Sequence, residues 1–333
     1  MIYDGNMMGS NRKVYMNGSF VDESDAKISI YDSALMFGDM VFEMTRSFNG
    51  VQFKLKEHID RLFDGLKILR IDIPISKGEL EDICLQTVEI NRPFFSNSDE
   101  HRLIIDISRG LLGIYQGVTG LHKGPNIIVA DFPLRWTVSS MGKYFDSGIN
   151  AVITSQRAIP ASLMDPKIKN RSRLFYLMAN IEVSQYAGEN NWALMLDTDG
   201  FISEGTGDNF FMIKDDIIYT PEGRNILRGI SRKYVIEEIA PALGIKVIEK
   251  NIEAYDVYTA DEAFLTGTPF CMLPVTSLNG VAIGSGKIGP LFGKLLAQWS
   301  SNVGIDIQNQ IRSWASGDMA NGPTPYQFRS KRP

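Results

Sequence analysis

The sequence predicts a mixed α+β fold in two lobes, and three observations predict it. Asn-Gly and Asp-Gly pairs between apolar runs mark hairpins near both ends of the chain. Leucine-rich stretches between them repeat at helical spacing. Strands and helices alternate without the glycine fingerprint of a dinucleotide-binding crossover. At 333 residues the chain is long for one core and natural for two domains.

The elements follow in order. Asn17-Gly18, Asn49-Gly50, Asp199-Gly200 and Asn279-Gly280 each suit a two-residue turn whose central positions need positive φ. Leu55, Ile59, Leu62, Leu66 and Leu69 share one helical face. A second helix is expected over 77–90, where Ser76 and Glu79 have capping-box spacing. Ser172 is expected to cap a helix running to about Tyr186 before Gly188. Ser231 is expected to cap another, carrying Val235, Ile236, Ile239 and Leu243 before Gly244. A strand is read over 263–265. The smaller N-terminal lobe is drawn at 1–135 and the larger C-terminal lobe at 149–314. A Ser/Gly-containing connector at 136–148 joins them, and a mobile tail is expected at 315–333.

Composition excludes several function classes. The net charge is −5 and the basic residues are scattered, so the footprint of a nucleic-acid binder is absent. No apolar run approaches the roughly 18 residues of a membrane span. The first eleven residues lack a secretory pattern, which makes the cytoplasm the expected compartment. Cys84 and Cys271 give no disulfide framework and read as buried small hydrophobes. His101 and His122 have no ligand spacing, so no metal is expected.

Five stretches have residues that suit chemistry. In Pro166-Lys167-Ile168-Lys169-Asn170-Arg171-Ser172-Arg173-Leu174, four basic residues crowd the approach to a helix. Alone, such a run reads as a solvated turn. Neighbouring cations and a helix N-terminus also disfavour an ammonium, and a lysine with a lowered pKa forms an imine with an aldehyde. In Ser203-Glu204-Gly205-Thr206-Gly207-Asp208-Asn209, a strand ends in a carboxylate. It reads either as an ordinary loop acid or as a charge aimed at a protonated ring nitrogen. Leu227-Arg228-Gly229-Ile230-Ser231-Arg232 opens a helix whose free N–H groups suit an anion, and Thr266-Gly267-Thr268 adds backbone and hydroxyl donors. In Glu57-His58-Ile59-Asp60-Arg61-Leu62, Arg61 suits a phosphate, or alternatively pairs with Glu57 or Asp60; His58 reads as a structural hydrogen-bonding residue.

The order of these stretches resembles the class IV (fold-type IV) aminotransferases. These include branched-chain and D-amino-acid aminotransferases, (R)-selective amine transaminases and aminodeoxychorismate lyase. The resemblance begins with Phe37-Gly38-Asp39-Met40-Val41-Phe42-Glu43-Met44-Thr45-Arg46 and closes with Gly284 to Pro290, covering about residues 12–300. It implies a two-domain fold-type IV architecture, a homodimer and a pyridoxal 5'-phosphate (PLP) cofactor. Lys169 then corresponds to the lysine bonded to the cofactor and shuttling the proton. Glu204 corresponds to the carboxylate facing the pyridine nitrogen. Arg61, Gly229, Ile230, Ser231 and Thr268 correspond to the phosphate cradle, and Leu227 to the residue packed on the ring. Phe37, Phe42, Met44, Arg102, Thr268 and Pro269 map to the substrate pocket, with Arg102 matching an arginine for a distal carboxylate. The loop around Gly113 to Gly120 is the segment that would reach a neighbouring subunit. The partners implied are an amino acid or amine and a 2-oxo acid.

The chain departs from its relatives' patterns at several points. Branched-chain enzymes carry Gly-Gly-Asn-Tyr after the lysine, whereas Leu174 stands at the tyrosine position here. They carry glycine where Met44 stands, and the lyase carries threonine there. The Arg-x-His pair of D-amino-acid enzymes after Arg109-Gly110 is replaced by Leu111-Leu112-Gly113-Ile114-Tyr115. That apolar loop favours an apolar or aromatic donor. The function expected is transamination, with a PLP-dependent lyase or a non-catalytic scaffold as alternatives; a scaffold would need neither Lys169 nor Glu204.

Overall fold

The computed structural model describes residues 12–315 and 328. Apart from Ala315 and Phe328, the expected tail lies outside the described residues, as does the N-terminal stretch 1–11. By its contacts the chain divides into two compact units, Met1–Leu134 with Ile168–Ser172, and Arg135–Lys167 with Arg173–Pro333.

In the first unit, β1 (Lys13–Met16) and β2 (Ser19–Asp22) form a hairpin turned by Asn17 and Gly18, at φ 51° and 96°. A short helix, α1 (Ser33–Phe37), begins where the Asp32 carboxylate accepts from the Ala34 N–H at 2.7 Å. Next come β3 (Met40–Met44) and the small hairpin of β4 (Ser47–Phe48) and β5 (Val51–Gln52), turned at Asn49-Gly50. The helices α2 (Leu55–Leu69) and α3 (Lys77–Asn91) follow, the second opened by the expected Ser76/Glu79 capping box. The strands β6 (His101–Ser108) and β7 (Asn126–Pro133) complete an antiparallel sheet of order β2-β1-β7-β6-β3. Leu55, Ile59, Leu62 and Leu66 of α2 bury against Leu103, Ile105 and Val129 of that sheet.

As the outer strand of the sheet, β3 presents N–H and C=O groups that need partners. The segment 168–172 supplies them. The Phe42 N–H donates to the Lys169 carbonyl at 2.9 Å, and Val41 bridges Asn170. These five residues therefore join the first unit, although they follow the boundary near 135 read from sequence.

In the second unit, the stretch read as a connector is helical. It comprises α4 (Arg135–Val138), a 3-10 turn at Ser139–Met141 and α5 (Tyr144–Ser147), burying Val138, Met141, Tyr144 and Phe145. Apolar residues three to four apart outweigh the Ser and Gly content there. Next are β8 (Ile149–Arg157), α6 (Leu174–Val183), β9 (Asn191–Leu196), β10 (Ile202–Gly205), β11 (Asn209–Lys214) and β12 (Ile217–Thr220). They are followed by α7 (Ile230–Tyr234), which runs through a π-helical stretch, Val235–Ile239, into α8 (Ala240–Ala242). The chain continues through β13 (Val247–Glu249), α9 (Ala254–Tyr258), β14 (Glu262–Gly267), β15 (Cys271–Leu278), β16 (Val281–Ala282), α10 (Pro290–Val303) and α11 (Ile307–Trp314). The sheet order is β10-β9-β8-β15-β14-β11-β12-β13, with β16 on β15. A further pairing, Glu204 with Asn209, joins β10 to β11 and closes six of these strands into a ring. Closure removes the open edges of the two strands it joins.

Three local expectations are corrected. At Asp199-Gly200 only the glycine takes positive φ, because the Asp197 carboxylate organises a longer loop, accepting from the Asp199 and Phe201 N–H groups at 3.0 Å. Ser172 does not cap α6. Its hydroxyl donates to the Phe37 carbonyl at 2.9 Å, and the helix starts two residues later at Leu174 and ends at Val183. Ser231 lies inside the first turn of α7, and Gly229 occupies the cap. A Cβ at 229 would stand 2.2 Å from Asn209 Oδ1, so glycine is needed for that approach.

Candidate active site

In the first unit, β3 sends consecutive side chains to opposite faces. Phe42 receives Lys169, whose Nζ lies 4.7 Å from the ring centroid. The Arg171 guanidinium carbon lies 3.7 Å from the same centroid, and Arg171 pairs with Asp106 at 3.0 Å. Two positions along, Met44 Sδ accepts from Arg102 Nη2 at 3.6 Å. Arg102 is buried on β6, 5.6 Å from the Phe132 ring centroid. Phe37 ends α1 and is 67% exposed.

Glu43, between Phe42 and Met44, is fully buried toward α2. Arg61 grips it bidentately, Nε to Oε1 at 2.6 Å and Nη2 to Oε2 at 2.8 Å, and His58 Nδ1 lies 2.7 Å from Oε2. The partners expected for Arg61 are thus corrected: Glu57 pairs with Lys54 and Asp60 with Lys77. Burial pushes the Glu43 carboxyl up, but the Arg61 charge and then His58 outweigh it and hold it well below the usual carboxylate range. Burial lowers His58, despite Glu43, so the imidazole is neutral. The sequence reading passed over Glu43. Its signal was a charged residue inside an apolar strand, facing a helix with His and Arg three apart. Truncating one partner of a buried ion pair costs about 3–5 kcal/mol. Glu43→Ala is therefore expected to lower the thermal midpoint clearly, and an unchanged midpoint would mean that Arg61 escapes to water.

In the second unit, Glu204 stands at the β10–β11 closure, 4% exposed. The Tyr176 hydroxyl donates to its Oε1 at 2.7 Å. Asn209 Nδ2 and the Leu227 N–H donate to its Oε2 at 3.1 and 3.0 Å. Asn209 Nδ2 also donates to the Leu227 carbonyl at 2.9 Å, while its Oδ1 stands against Gly229. Glu204, Leu227 and Gly229 thus converge on Asn209. Ile230 and Ser231 follow in the first turn of α7, where N–H groups lack intrahelical acceptors. Thr268 and Pro269 form the turn between β14 and β15. Just before it, the buried Thr266 hydroxyl finds no hydrogen-bond partner among the described residues. Burial, reinforced by Glu204, pushes Asp208 well above the carboxylate range and Tyr176 well above the phenol range. Tyr176 was also passed over. Its signal was an α6 face of Tyr176, Ala179, Asn180 and Val183, all buried, on which a phenol needs a partner.

Residues 40–278 match the amino-transferase class IV family. This chain belongs to the class IV aminotransferases. A Methanocaldococcus jannaschii protein named a putative branched-chain-amino-acid aminotransferase is 39% identical over 285 residues, covering 85% of this chain and 93% of its own length. The structure of a T.th. branched-chain aminotransferase complexed with N-(5'-phosphopyridoxyl)-L-glutamate matches with a TM-score of 0.74 at 29% identity, covering 91% of this chain and 97% of that one. A Thermoproteus uzoniensis branched-chain aminotransferase with norvaline matches with a TM-score of 0.74 at 29% identity, covering 91% and 96%. The chain is accordingly a transaminase of fold type IV, and PLP is its cofactor. Two observations test whether its residues fit that group. Every hydrogen bond named above at Glu204 is donated to it, which suits a carboxylate meeting a protonated ring nitrogen. The unpartnered Thr266 hydroxyl and the first turn of α7 are donor-rich, which suits a phosphate.

Proposed function

We propose that this aminotransferase moves an amino group between an apolar, branched-chain-like or aromatic L-amino acid and 2-oxoglutarate. The transamination chemistry in this reading is carried by the environment of Glu204, a buried carboxylate held by three neutral donors at a ring closure. Bound PLP supplies an aldehyde for amine capture and an electron-withdrawing ring. Lys169 Nζ would be the amine that bonds the cofactor and would carry the donor's Cα proton. Glu204 would hold a proton at the ring nitrogen, and Leu227 would pack on the ring. Arg61, Gly229, Ile230, Ser231 and Thr268 would hold the phosphate, and Glu43 orients Arg61. Phe37, Phe42, Met44, Thr268 and Pro269 line the donor's side chain, and Arg102 takes the distal carboxylate of glutamate. In support, the neighbouring structures described above contain a glutamate adduct in one case and norvaline in the other.

A cytoplasmic homodimer belongs to the same reading. Each unit exposes large apolar side chains, Ile30, Leu35, Phe37 and Ile114 on the first and Leu163, Leu174, Leu177 and Met178 on the second. Apolar surface of that kind suits a second copy of the chain.

The test is a visible spectrum of the PLP-loaded protein with donors added singly: L-leucine, L-phenylalanine, L-glutamate, D-alanine and an (R)-aryl amine. L-leucine or L-phenylalanine, and L-glutamate, are expected to bleach the yellow form, and 2-oxoglutarate to restore it. Bleaching by D-alanine or the aryl amine alone would sink the substrate assignment. Pyruvate release without an acceptor would point to the lyase chemistry.

A further inference from the structure

We propose that Tyr176 is a positioning residue for Glu204, its hydroxyl keeping the shared proton on the cofactor's ring nitrogen rather than on the carboxylate. The inference rests on the proposed role of Glu204. Two groups share the proton in such a pair, and it resides on the more basic one. Each hydrogen bond donated to a carboxylate lowers its proton affinity. Asn209 and Leu227 donate to Oε2, and Tyr176 donates to Oε1 at 2.7 Å. A phenol is a more acidic donor than either amide, so it withdraws more of the carboxylate's basicity. Removing it returns basicity to Glu204 and draws the proton off the ring.

The hydroxyl is held in place by the ring that carries it. Tyr176 is 8% exposed on α6 and packs in a cluster with Val152, Ala158, Ala179 and Met195. The Phe175 ring lies 4.4 Å away and the Arg173 guanidinium carbon 5.1 Å away, centroid distances that leave the phenol little freedom. Burial and the Glu204 charge keep the phenol protonated, so it remains a donor. Filling this space alone would require only phenylalanine. The hydroxyl is what distinguishes a positioning role from packing.

The experiment loads the enzyme with PLP labelled with nitrogen-15 in the ring and records the ring-nitrogen resonance together with kcat and KM. The wild type is expected at the pyridinium position and Glu204→Gln at the neutral pyridine position. Tyr176→Phe is expected to move from the first toward the second, with kcat about tenfold lower and KM little changed, as for the loss of one hydrogen bond to a charged group. A wild-type resonance in Tyr176→Phe would overturn the proposal. A wild-type resonance in Glu204→Gln would instead overturn the role of Glu204 on which it rests. Site-specific 3-fluorotyrosine at 176 keeps the ring and the hydroxyl and so covers a failure of Tyr176→Phe to fold. Its resonance is expected to remain on the pyridinium side, and a shift toward neutral pyridine would overturn the proposal.

Discussion

Replacing Lys169 by alanine is expected to abolish covalent attachment of PLP and to lower turnover by on the order of 10⁴-fold. On the proposed reading the substitution removes one amine with two duties, bonding the cofactor and carrying the donor's proton. The backbone is expected to survive, because segment 168–172 is held to β3 by the Lys169 carbonyl and the Asn170 bridge, neither of which involves the side chain. Borohydride reduction followed by intact mass measurement reads the first effect. Wild type is expected to gain one reduced cofactor, and Lys169→Ala none. Equal labelling of both proteins would move the attachment site elsewhere. Lys167 is then the first residue to examine, since it lies in the same basic run and pairs with Asp165 at 2.8 Å.

The second large effect is expected at Glu204. Glutamine keeps the shape and removes the charge. Its carbonyl can stand at the Oε2 position, where Asn209 and Leu227 donate, and its amide at the Oε1 position, where the Tyr176 oxygen can accept. The fold is therefore expected to lose little stability, while the charge proposed to face the ring nitrogen disappears. Losing one preorganised electrostatic partner of a developing charge costs on the order of 10²–10³ in kcat. The measurement pairs steady-state kinetics with a thermal melt. A large kcat loss at an unchanged midpoint supports the role. A collapse of the midpoint with proportionate loss of activity would make Glu204 a structural residue of the ring closure.

Much of the architecture was legible in the residues. The α2 stripe, the Ser76/Glu79 box and three of the four Asn-Gly or Asp-Gly turns are local, decided by spacing and by the φ preferences of a few side chains. The turn between β11 and β12 was missed because Asp215 and Asp216 both adopt positive φ without a glycine to announce it. Ser172 misled because its hydroxyl had a stronger claim elsewhere, on the Phe37 carbonyl. Capping preference is worth about 1 kcal/mol, and one tertiary hydrogen bond can redirect it.

The sequence by itself determined the family, through the order of the Lys169, Glu204, Gly229 and Thr268 stretches, and with it the cofactor and the transamination chemistry. It could not show which side chains act on those residues. Glu43 is 18 positions from the Arg61 that it grips. Tyr176 is 28 positions from the Glu204 that it meets. Lys169 joins β3, well over a hundred residues earlier in the chain, through a backbone hydrogen bond that no side-chain pattern records. Only the folded chain decided these contacts. A buried carboxylate must find donors wherever the closed sheet brings them, and sheet closure pairs residues without regard to their distance in sequence.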